Sequence, residues 1–308
     1  MNQDNRLIIN IITLLIILLI GMGVSNLLTN TFKQESNFSN AQNTAITTNE
    51  EITSNIDQPE EENFFIYESE QYVDAIVDDL TSSENEVNII PRIAFIIDDL
   101  GYEIDIAKKI IEIEFPITLS ILPFLKYSEY IAEEGKNSNQ EIMLHLPMEP
   151  DNSSSNPGDG AITSNMFGEE IRQIVRECIF NFPHVIGVNN HMGSKITKNR
   201  EIMEIVLEEI RRYDLFFIDS LTTQDSIAYQ VAKEMGVKTA VRSVFLDNDS
   251  DIEYIKGQIL QAQKIALRDG KAIAIGHGKI NTYYVLKRMI PELVKAGIEI
   301  VPVSALVK

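Results

Sequence analysis

The stretch RIAFIIDDLG, residues 92–101, decides the fold of the C-terminal part of the chain. Its first half is an uninterrupted apolar run, which is typical of a strand buried on both faces of a parallel sheet. Its second half puts Asp98 and Asp99 at the end of that strand, where neighbouring carboxylates repel each other and lose solvation. The stretch therefore predicts a buried strand that ends where something offsets negative charge.

The aspartate pair has two interpretations. A divalent cation bound by one carboxylate would offset the repulsion and leave the other carboxylate free to act as a base. Alternatively, Asp98 or Asp99 caps the helix that is predicted to begin near residue 104.

Downstream of this stretch, short β-branched runs alternate with amphipathic segments, which is the pattern of a parallel sheet with crossover helices. Strands are predicted at residues 93–97, 117–122, 141–146, 185–188, 215–218, 238–241, 272–275 and 298–301. Helices are predicted at residues 104–114, 127–137, 168–180, 200–213, 223–235, 251–269 and 283–296. This order predicts an irregular (β/α) barrel of about seven to eight parallel strands. An open doubly wound sheet is the alternative, but the chain lacks the glycine-rich phosphate loop that such sheets often carry.

Folds of this kind place their chemistry at the C-terminal ends of the strands. The residues that follow the predicted strands are Asp98, Asp99, Pro123, His145, Asn190, His191, Asp219, Ser220, Arg242 and His277. Three of the four histidines in the chain belong to this set. The sequence therefore predicts one site at one end of the sheet.

The composition of this set indicates a metal site. Imidazole together with carboxylate suits zinc or a similar first-row ion, so we predict that Asp99, His145 and His191 bind a divalent metal, with zinc favoured. Three protein ligands leave positions open for water and substrate, as in catalytic sites. The alternative for His145 is a hydrogen-bonded core residue, and no compact H-x-x-x-H or H-E-x-x-H spacing supports the triad.

Further residues of the set have predicted roles around the metal. His277 lies between two glycines and is predicted as the general acid, the alternative being a turn residue without a task. Asp219 is predicted to orient a histidine, or else to cap the next helix. Arg242 is predicted to neutralise surplus acid or to pair with Asp98, and Asn190 to support the site or contact substrate.

Other chemistry finds less support in the sequence. Ser194 and Ser220 lack a G-x-S-x-G elbow, which disfavours a serine hydrolase. His184 precedes a strand and is predicted to be structural. Cys178 is the only cysteine, so the chain forms no intramolecular disulfide, and its helical apolar neighbours predict core packing.

The N-terminus predicts export. Residues 7–24 are uncharged and, except for Asn10 and Thr13, apolar, with a length that can cross a bilayer. An uncleaved anchor is favoured over a cleaved signal because no A-x-A type site follows, and Arg6 favours a cytoplasmic N-terminus. We therefore expect a membrane anchor or signal at residues 1–30, an acidic disordered linker at 31–90 and the barrel at 91–308. The expected location is the bacterial cell envelope, outside the cytoplasm, tethered to the inner membrane or secreted if the signal is cleaved.

Charge is unevenly distributed along the chain. Residues 33–90 contain 14 acids and one base, whereas residues 91–308 contain 31 acids and 24 bases. No basic stripe exists to bind phosphates, which excludes nucleic acid as an expected partner. An apolar patch at residues 63–80 predicts a short amphipathic helix that docks on the domain or on a protein partner, whose identity the sequence does not give.

Five segments, in this order, resemble the divergent polysaccharide deacetylase family, a branch of the carbohydrate esterases with a NodB-like irregular (β/α) barrel. The segments are IDDLG at 97–101, HLPMEP at 145–150, GVNNHMGS at 187–194, FIDS at 217–220 and GHG at 276–278. The resemblance implies Asp98 as base, Asp99, His145 and His191 as metal ligands, and His277 as acid. The chain departs from the usual pattern because its two histidines come from different strands instead of forming an H-x-x-x-H pair.

The resemblance also implies a function. The implied activity is metal-dependent N-deacetylation of an N-acetylated cell-envelope glycan, which makes carbohydrate the expected partner. The alternative is a catalytically inactive, envelope-tethered module that binds glycan or an envelope protein, and the missing histidine pair favours it. The polar loop at residues 151–160 is expected to border the pocket, the alternative being a solvated crossover loop.

Overall fold

A computed structural model of the protein describes residues 90–308. The predicted membrane segment at 7–24, the linker and the apolar patch at 63–80 lie outside the described residues. Among residues 90–308, no helix is both long and apolar enough to cross a membrane.

Strands and helices alternate through the described part of the chain. The strands are β1 (Arg92–Leu100), β2 (Ile117–Ile121), β3 (Glu141–Met148), β4 (Val185–Met192), β5 (Phe216–Asp219), β6 (Thr239–Val241), β7 (Val244–Phe245), β8 (Lys271–His277) and β9 (Glu299–Ile300). The helices are α1 (Ile104–Ile111), α2 (Ser128–Asn137), α3 (Gly168–Phe180), α4 (Arg200–Arg212), α5 (Ala228–Glu234), α6 (Ile252–Asp269) and α7 (Ile280–Lys295), and a 3₁₀ helix follows at Val303–Leu306.

The strands form one parallel sheet in the order β6-β5-β4-β3-β2-β1-β8-β7, with β9 pairing β1. This is the cyclic order of a (β/α) barrel, interrupted between β6 and β7. A doubly wound sheet would instead reverse its strand order at a switch point. The sheet is therefore a curled, irregular barrel of parallel strands, which confirms the predicted (β/α) barrel.

One chain segment brings the two edges of the curled sheet together. Its first half, β6, pairs with β5, and its second half, β7, pairs with β8. The change of partner occurs at two consecutive residues, because Arg242 N donates to Asp219 O and Ser243 N donates to Ile273 O. Residues 239–245 therefore form the seam of the barrel.

Two apolar cores lie on opposite faces of the sheet. The larger core fills the space between the sheet and the helices and contains Ile93, Phe95 and Ile97 of β1. The smaller core fills the barrel interior and contains Ala94 and Ile96. The alternation follows from the pleat, which points successive side chains to opposite faces.

The barrel interior has a closed end and an open end. At the closed end, where the strands begin, Val303 and Leu306 of the 3₁₀ helix are buried in the inner core. Glu141 holds this helix by accepting hydrogen bonds from the backbone N–H and hydroxyl of Ser304. The open end lies at the carboxyl ends of the strands, and there the interior becomes polar.

The predicted elements agree with the structure in kind and place. All eight predicted strands and all seven predicted helices are present. The short strand β7 was not predicted, because two residues carry too little periodicity. Strands β1, β3, β4 and β8 run further than predicted. Asp98, Asp99, His191 and His277 therefore lie within the strand ends instead of beyond them, as His145 already did in the predicted strand. Helix α5 begins at Ala228 and not at residue 223.

Candidate metal centre

The first strand delivers both aspartates to the open end. Asp98 is buried in the barrel interior, two residues after Ile96, and pairs in register with His277 of β8. Asp99 has a φ of 60°, in the left-handed region that non-glycine residues rarely adopt. This local twist lets two consecutive carboxylates reach the same site, which a regular pleat would prevent.

Three donor atoms meet beside these carboxylates. Asp99 Oδ1 lies 2.9 Å from His191 Nδ1 and 3.2 Å from His145 Nε2, and the two imidazole nitrogens are 3.1 Å apart. Ligand atoms about 2.1 Å from a zinc ion lie roughly 3.0 to 3.4 Å from one another. The triangle of donors therefore has the dimensions of a metal site.

The hydrogen bonding of this triangle also fits a cation. His145 Nδ1 lies 2.9 Å from the amide oxygen of Asn189, which can only accept, so the neutral imidazole presents a bare Nε2 to the site. His191 Nδ1 faces both His145 Nε2 and Asp99 Oδ1, and its single N–H cannot donate a good hydrogen bond to both. Indeed, Asp99 Oδ1 is buried and has no well-aligned hydrogen-bond partner among the described residues. A divalent cation would satisfy all three atoms together.

The charges around the triad shift the pKa values of Asp99 and His145. Burial alone would raise the pKa of Asp99, but the adjacent imidazoles outweigh it and hold that pKa well below its usual range. Burial alone would lower the pKa of His145, but the negative charges of Asp98 and Asp99 outweigh it and raise that pKa. A metal must displace the proton that these charges attract, so its affinity should fall as the pH is lowered.

Asn189 connects the metal triad to Asp98, and sequence reasoning did not single it out. Its amide nitrogen donates to both oxygens of Asp98, at 2.9 and 3.1 Å, and to Ser220 Oγ. Its amide oxygen accepts from Ser120 Oγ and faces His145 Nδ1. Because a carboxylate cannot donate, this network fixes the amide orientation and, through it, the tautomer of neutral His145.

His277 stands across the site with its own carboxylate partner. Its Nδ1 lies 2.7 Å from Asp247 Oδ1, and its Nε2 faces Asp99 Oδ2 at 3.9 Å. The other oxygen of Asp247 accepts from Thr282 Oγ1 and from the backbone N–H of His277. Burial alone would lower the pKa of His277, but Asp247 outweighs it and raises that pKa. Burial alone would raise the pKa of Asp247, but His277 outweighs it and lowers that pKa.

Asp247 was not predicted because β7 was not predicted. It follows the apolar run Val244, Phe245 and Leu246, as the other site residues follow their strands. The same reading of strand ends would have found it.

The structure corrects the predicted role of Asp219. This residue faces the helices, where its carboxylate accepts hydrogen bonds from Leu221 N, Ser226 Oγ and Tyr229 N. These contacts match the alternative in which Asp219 caps the next helix, because Tyr229 lies in the first turn of α5. The orienting role belongs to Asn189 for His145 and to Asp247 for His277.

The structure also corrects the prediction for Asn190 and one of the two alternatives for Arg242. Asn190 faces away from the metal triad and fastens the loop after β5 by accepting from Ser220 N and donating to Met192 O. Arg242 forms no ion pair with Asp98, whose oxygens are occupied by Asn189. The charges of Asp219 and Asp98 act on it at longer range, in keeping with the alternative that it offsets surplus acid. Its guanidinium donates to the carbonyls of Ser220 and Leu221.

The residues predicted to be structural lie away from the triad. Cys178 is buried in the outer core, and burial raises its pKa to about 12. His184 lies next to the start of β4 and faces Glu133 at 3.4 Å. The loop that contains residues 151–160 is joined to the loop after β4 by an ion pair between Asp151 and Lys198.

Comparisons with known proteins show that the chain is similar to one family, to two bacterial proteins and to a solved structure. The model of a family described as divergent polysaccharide deacetylase matches residues 95–307. The protein YibQ of Escherichia coli K12 is 36% identical over 203 residues, which are 66% of this chain but only 63% of that protein. A protein of Haemophilus influenzae is 33% identical over 204 residues, which are 65% of this chain and 72% of its own length. The crystal structure of protein ATU2773 from Agrobacterium tumefaciens C58 aligns with a TM-score of 0.68 at 23% identity, over 72% of this chain and 92% of that one, and shares the fold.

Proposed function

The chain belongs to the divergent polysaccharide deacetylase family, and on that premise we propose that it is a metal-dependent hydrolase that removes acetyl groups from N-acetylated sugars of a cell-envelope glycan. The observation that carries the proposal is the cluster of Asp99, His145 and His191, with Asp98 and His277 on either side. A binding module has no need of a proton acceptor and a proton donor around a cation site.

The metal ligands in this proposal are Asp99 Oδ1, His145 Nε2 and His191 Nδ1, with zinc as the favoured ion. When bound, the cation supplies Lewis acidity, which activates water and polarises a carbonyl group. The side chains of Asp99, His191 and His277 are partly exposed, at 34%, 14% and 26%, so a ligand can approach from the open end.

Asp98 is the proposed proton acceptor. Its carboxylate lies on the inner side of the triad, with Oδ2 3.6 Å from His145 Nε2. The two hydrogen bonds from Asn189 hold the carboxylate in one orientation. A base that is held in place in this way does not have to reorganise when the proton arrives.

His277 is the proposed proton donor. Its Nδ1 is committed to Asp247, so Nε2 is the nitrogen that faces the site. The raised pKa keeps the imidazole protonated to a higher pH than an isolated histidine. Donation from Nε2 to the departing nitrogen lets the sugar leave as a neutral amine.

These roles account for every atom of an amide hydrolysis. The oxygen of water bonds to the acetyl carbon, and Asp98 takes one proton of that water. The bond between the acetyl carbon and nitrogen breaks, and the nitrogen receives its proton from His277. The products are acetic acid, which keeps the second proton of the water and ionises to acetate in solution, and a free amino sugar. Transfer of the proton from Asp98 through solvent to His277 restores both groups.

The cell-envelope part of the proposal is supported by the sequence of residues 7–24. An apolar segment of this length would tether the barrel to a membrane and place it near envelope glycans. Carbohydrate as the substrate class is supported by membership of the family.

The test is acetate release from N-acetylated glycan fragments by the full-length, zinc-loaded protein. Asp98→Asn and His277→Ala should each lower the rate by about 100- to 10,000-fold, the range for loss of a general acid or base. Asp214→Asn is the matched control, because Asp214 is exposed and distant from the site, and its rate should equal the wild type.

Two outcomes would count against the enzyme. Zinc binding without acetate release from any fragment would favour the inactive glycan-binding or protein-binding module. Equal rates in the wild type and in Asp98→Asn would remove Asp98 from the reaction.

A further inference from the structure

Arg242 lies at the seam of the barrel, at the open end. Ala240 of β6 belongs to the inner core, so Arg242, two residues further on, lies on the interior side of the segment. Its guanidinium carbon is 3.7 Å from the centre of the Phe245 ring. That ring is also stacked with the imidazole of His277, at 6.1 Å between centres and an interplanar angle of 16°. The guanidinium of Arg242 and the imidazole of His277, the proposed acid, therefore both lie against the Phe245 ring at the open end.

The contacts of this guanidinium carry no negative charge. Its Nε donates to the carbonyl of Ser220 at 2.7 Å, and its Nη2 donates to the carbonyl of Leu221 at 2.9 Å. Carbonyl groups and an aromatic face orient a cation without neutralising it. Among the described residues, Arg242 forms no ion pair with a carboxylate.

Other cations at the open end differ from Arg242 in this respect. Lys195 lies 2.6 Å from Glu149, and Lys198 lies 2.8 Å from Asp151. Lys279 lies 3.8 Å from Asp247. Each of these lysines therefore has a carboxylate within 4 Å. The guanidinium of Arg242 forms no such ion pair and interacts with Asp219 and Asp98 only at longer range.

A partly buried cation without a carboxylate in direct contact is unfavourable, and the more distant charges of Asp219 and Asp98 offset its burial only in part. Burial lowers the pKa of Arg242 to about 10, which still leaves the group charged at neutral pH. A guanidinium has five N–H donors in a rigid planar fork, and Arg242 uses two of them on backbone carbonyls. The remaining donors suit the oxygens of a carboxylate or a phosphate.

We propose that Arg242 forms an anion-binding subsite of the open end, and that the ligand it recognises is a glycan bearing a carboxylate or phosphate group near the sugar at the metal triad. The identity of the ligand as a glycan rests on the proposed function. The absence of a direct ion pair and the spare N–H donors of Arg242 are observations that do not depend on that function.

The test compares binding of three N-acetylated oligosaccharides of equal length by calorimetry, using the full-length protein. One oligosaccharide is neutral, one carries carboxylates on alternate sugars and one carries phosphates at the same positions. The wild type should bind one of the acidic oligosaccharides about tenfold more tightly than the neutral one, as expected for a charge-assisted hydrogen bond. The preferred acidic form identifies the anion, and the preference should weaken as salt is added.

Arg242→Gln should lose this preference and keep the affinity for the neutral oligosaccharide. Arg268→Gln is the matched control, because Arg268 is exposed, pairs with Asp269 and precedes β8 at the other end of the barrel. Arg242→Lys retains the charge without the fork and should keep part of the preference. This variant also serves as the comparison if Arg242→Gln unfolds at a lower temperature than the wild type.

Acetate release measured on the same samples separates the subsite from the proposed function. Arg242-dependent binding of an acidic oligosaccharide without acetate release would support the subsite and contradict the deacetylase. Equal affinity of the wild type for all three oligosaccharides would overturn the subsite, whatever the acetate result. A preference that persists in Arg242→Gln would overturn it as well.

Discussion

The closed and open ends of the barrel interior are lined by the same strands and are held together differently. Along four of the strands, an apolar side chain points into the closed end, and the side chain two residues later points into the open end and is polar. The pairs are Ile96 and Asp98 on β1, Met143 and His145 on β3, Ile218 and Ser220 after β5, and Ile275 and His277 on β8. The whole change from core to site therefore takes place within one repeat of the pleat.

The two ends of the barrel interior differ in the interactions that stabilise them. The closed end excludes water and is stabilised by burial of apolar surface. The open end buries charged and polar groups, which are favourable only while each keeps its partner. Substitutions at the closed end should therefore change stability, and substitutions at the open end should change metal affinity and proton transfer.

The largest effect is expected from His145→Ala. The substitution removes a ligand atom from the triad and a partner from Asn189, so zinc affinity should fall by more than about 100-fold, beyond the range typical of residues that only support a ligand. Competition with a chelating dye measures the affinity. Thermal unfolding of the zinc-free protein is the control, and a fold lost without zinc present would show that His145 is a core residue first.

Met143→Ala is the counterpart two residues earlier on the same strand. Met143 is fully buried in the inner core, so its truncation should lower the free energy of unfolding by about 2 to 5 kcal/mol. Zinc affinity of the folded protein should stay within about threefold of the wild type, a difference of less than about 0.7 kcal/mol. Denaturant unfolding measures the first quantity and dye competition the second. A large loss of zinc affinity would mean that the two ends are not independent.

Asn189→Ala tests how the open end is held in order. The variant keeps all three ligand atoms but leaves Asp98 and His145 without their common partner, so zinc affinity should fall by about 10- to 100-fold. Nitrogen NMR of the His145 ring should show loss of the single tautomer. If the His145 tautomer and the zinc affinity were both unchanged, Asn189 would only fill space and would not orient His145.

The smallest effect is expected from Asp247→Asn, and it lies in the pH profile. The proposed acid must be protonated to act, and Asp247 raises the pKa of His277. Without that charge the pKa falls, so the alkaline limb of kcat/KM should move to lower pH. The loss of rate at the optimum should be smaller than the about 100-fold or greater loss expected for His277→Ala. An alkaline limb that does not move would assign that limb to another group.

Sequence reasoning predicted the barrel because alternating strand and helix patterns leave few topologies, and it located the site because parallel strands end at one edge. It gave Asn190 and Asp219 the wrong roles because the alternation of inward and outward side chains was not followed to the end of each strand. On β4, Val188 faces the helices, so Asn189 and His191 face the interior and Asn190 does not. The same rule turns Asp219 away from the site, because Ile218 before it belongs to the inner core.

Other features could not be obtained from local pattern. The contact of Asn189 with both Asp98 and His145 depends on the register of distant strands. The left-handed backbone of Asp99 does not follow from its residue type, because aspartate adopts this conformation only occasionally. The seam at residues 239–245 depends on how far the sheet curls, which is a property of all strands together.

The most direct test of the central claim is the zinc stoichiometry of the full-length protein after treatment with a chelator and equilibrium titration with zinc. The wild type should bind close to one zinc ion per chain, and His191→Ala, which keeps the fold but removes one donor of the triad, should bind far more weakly. Zinc binding by the wild type that is absent, or no tighter than in His191→Ala, would contradict a metal centre at the open end.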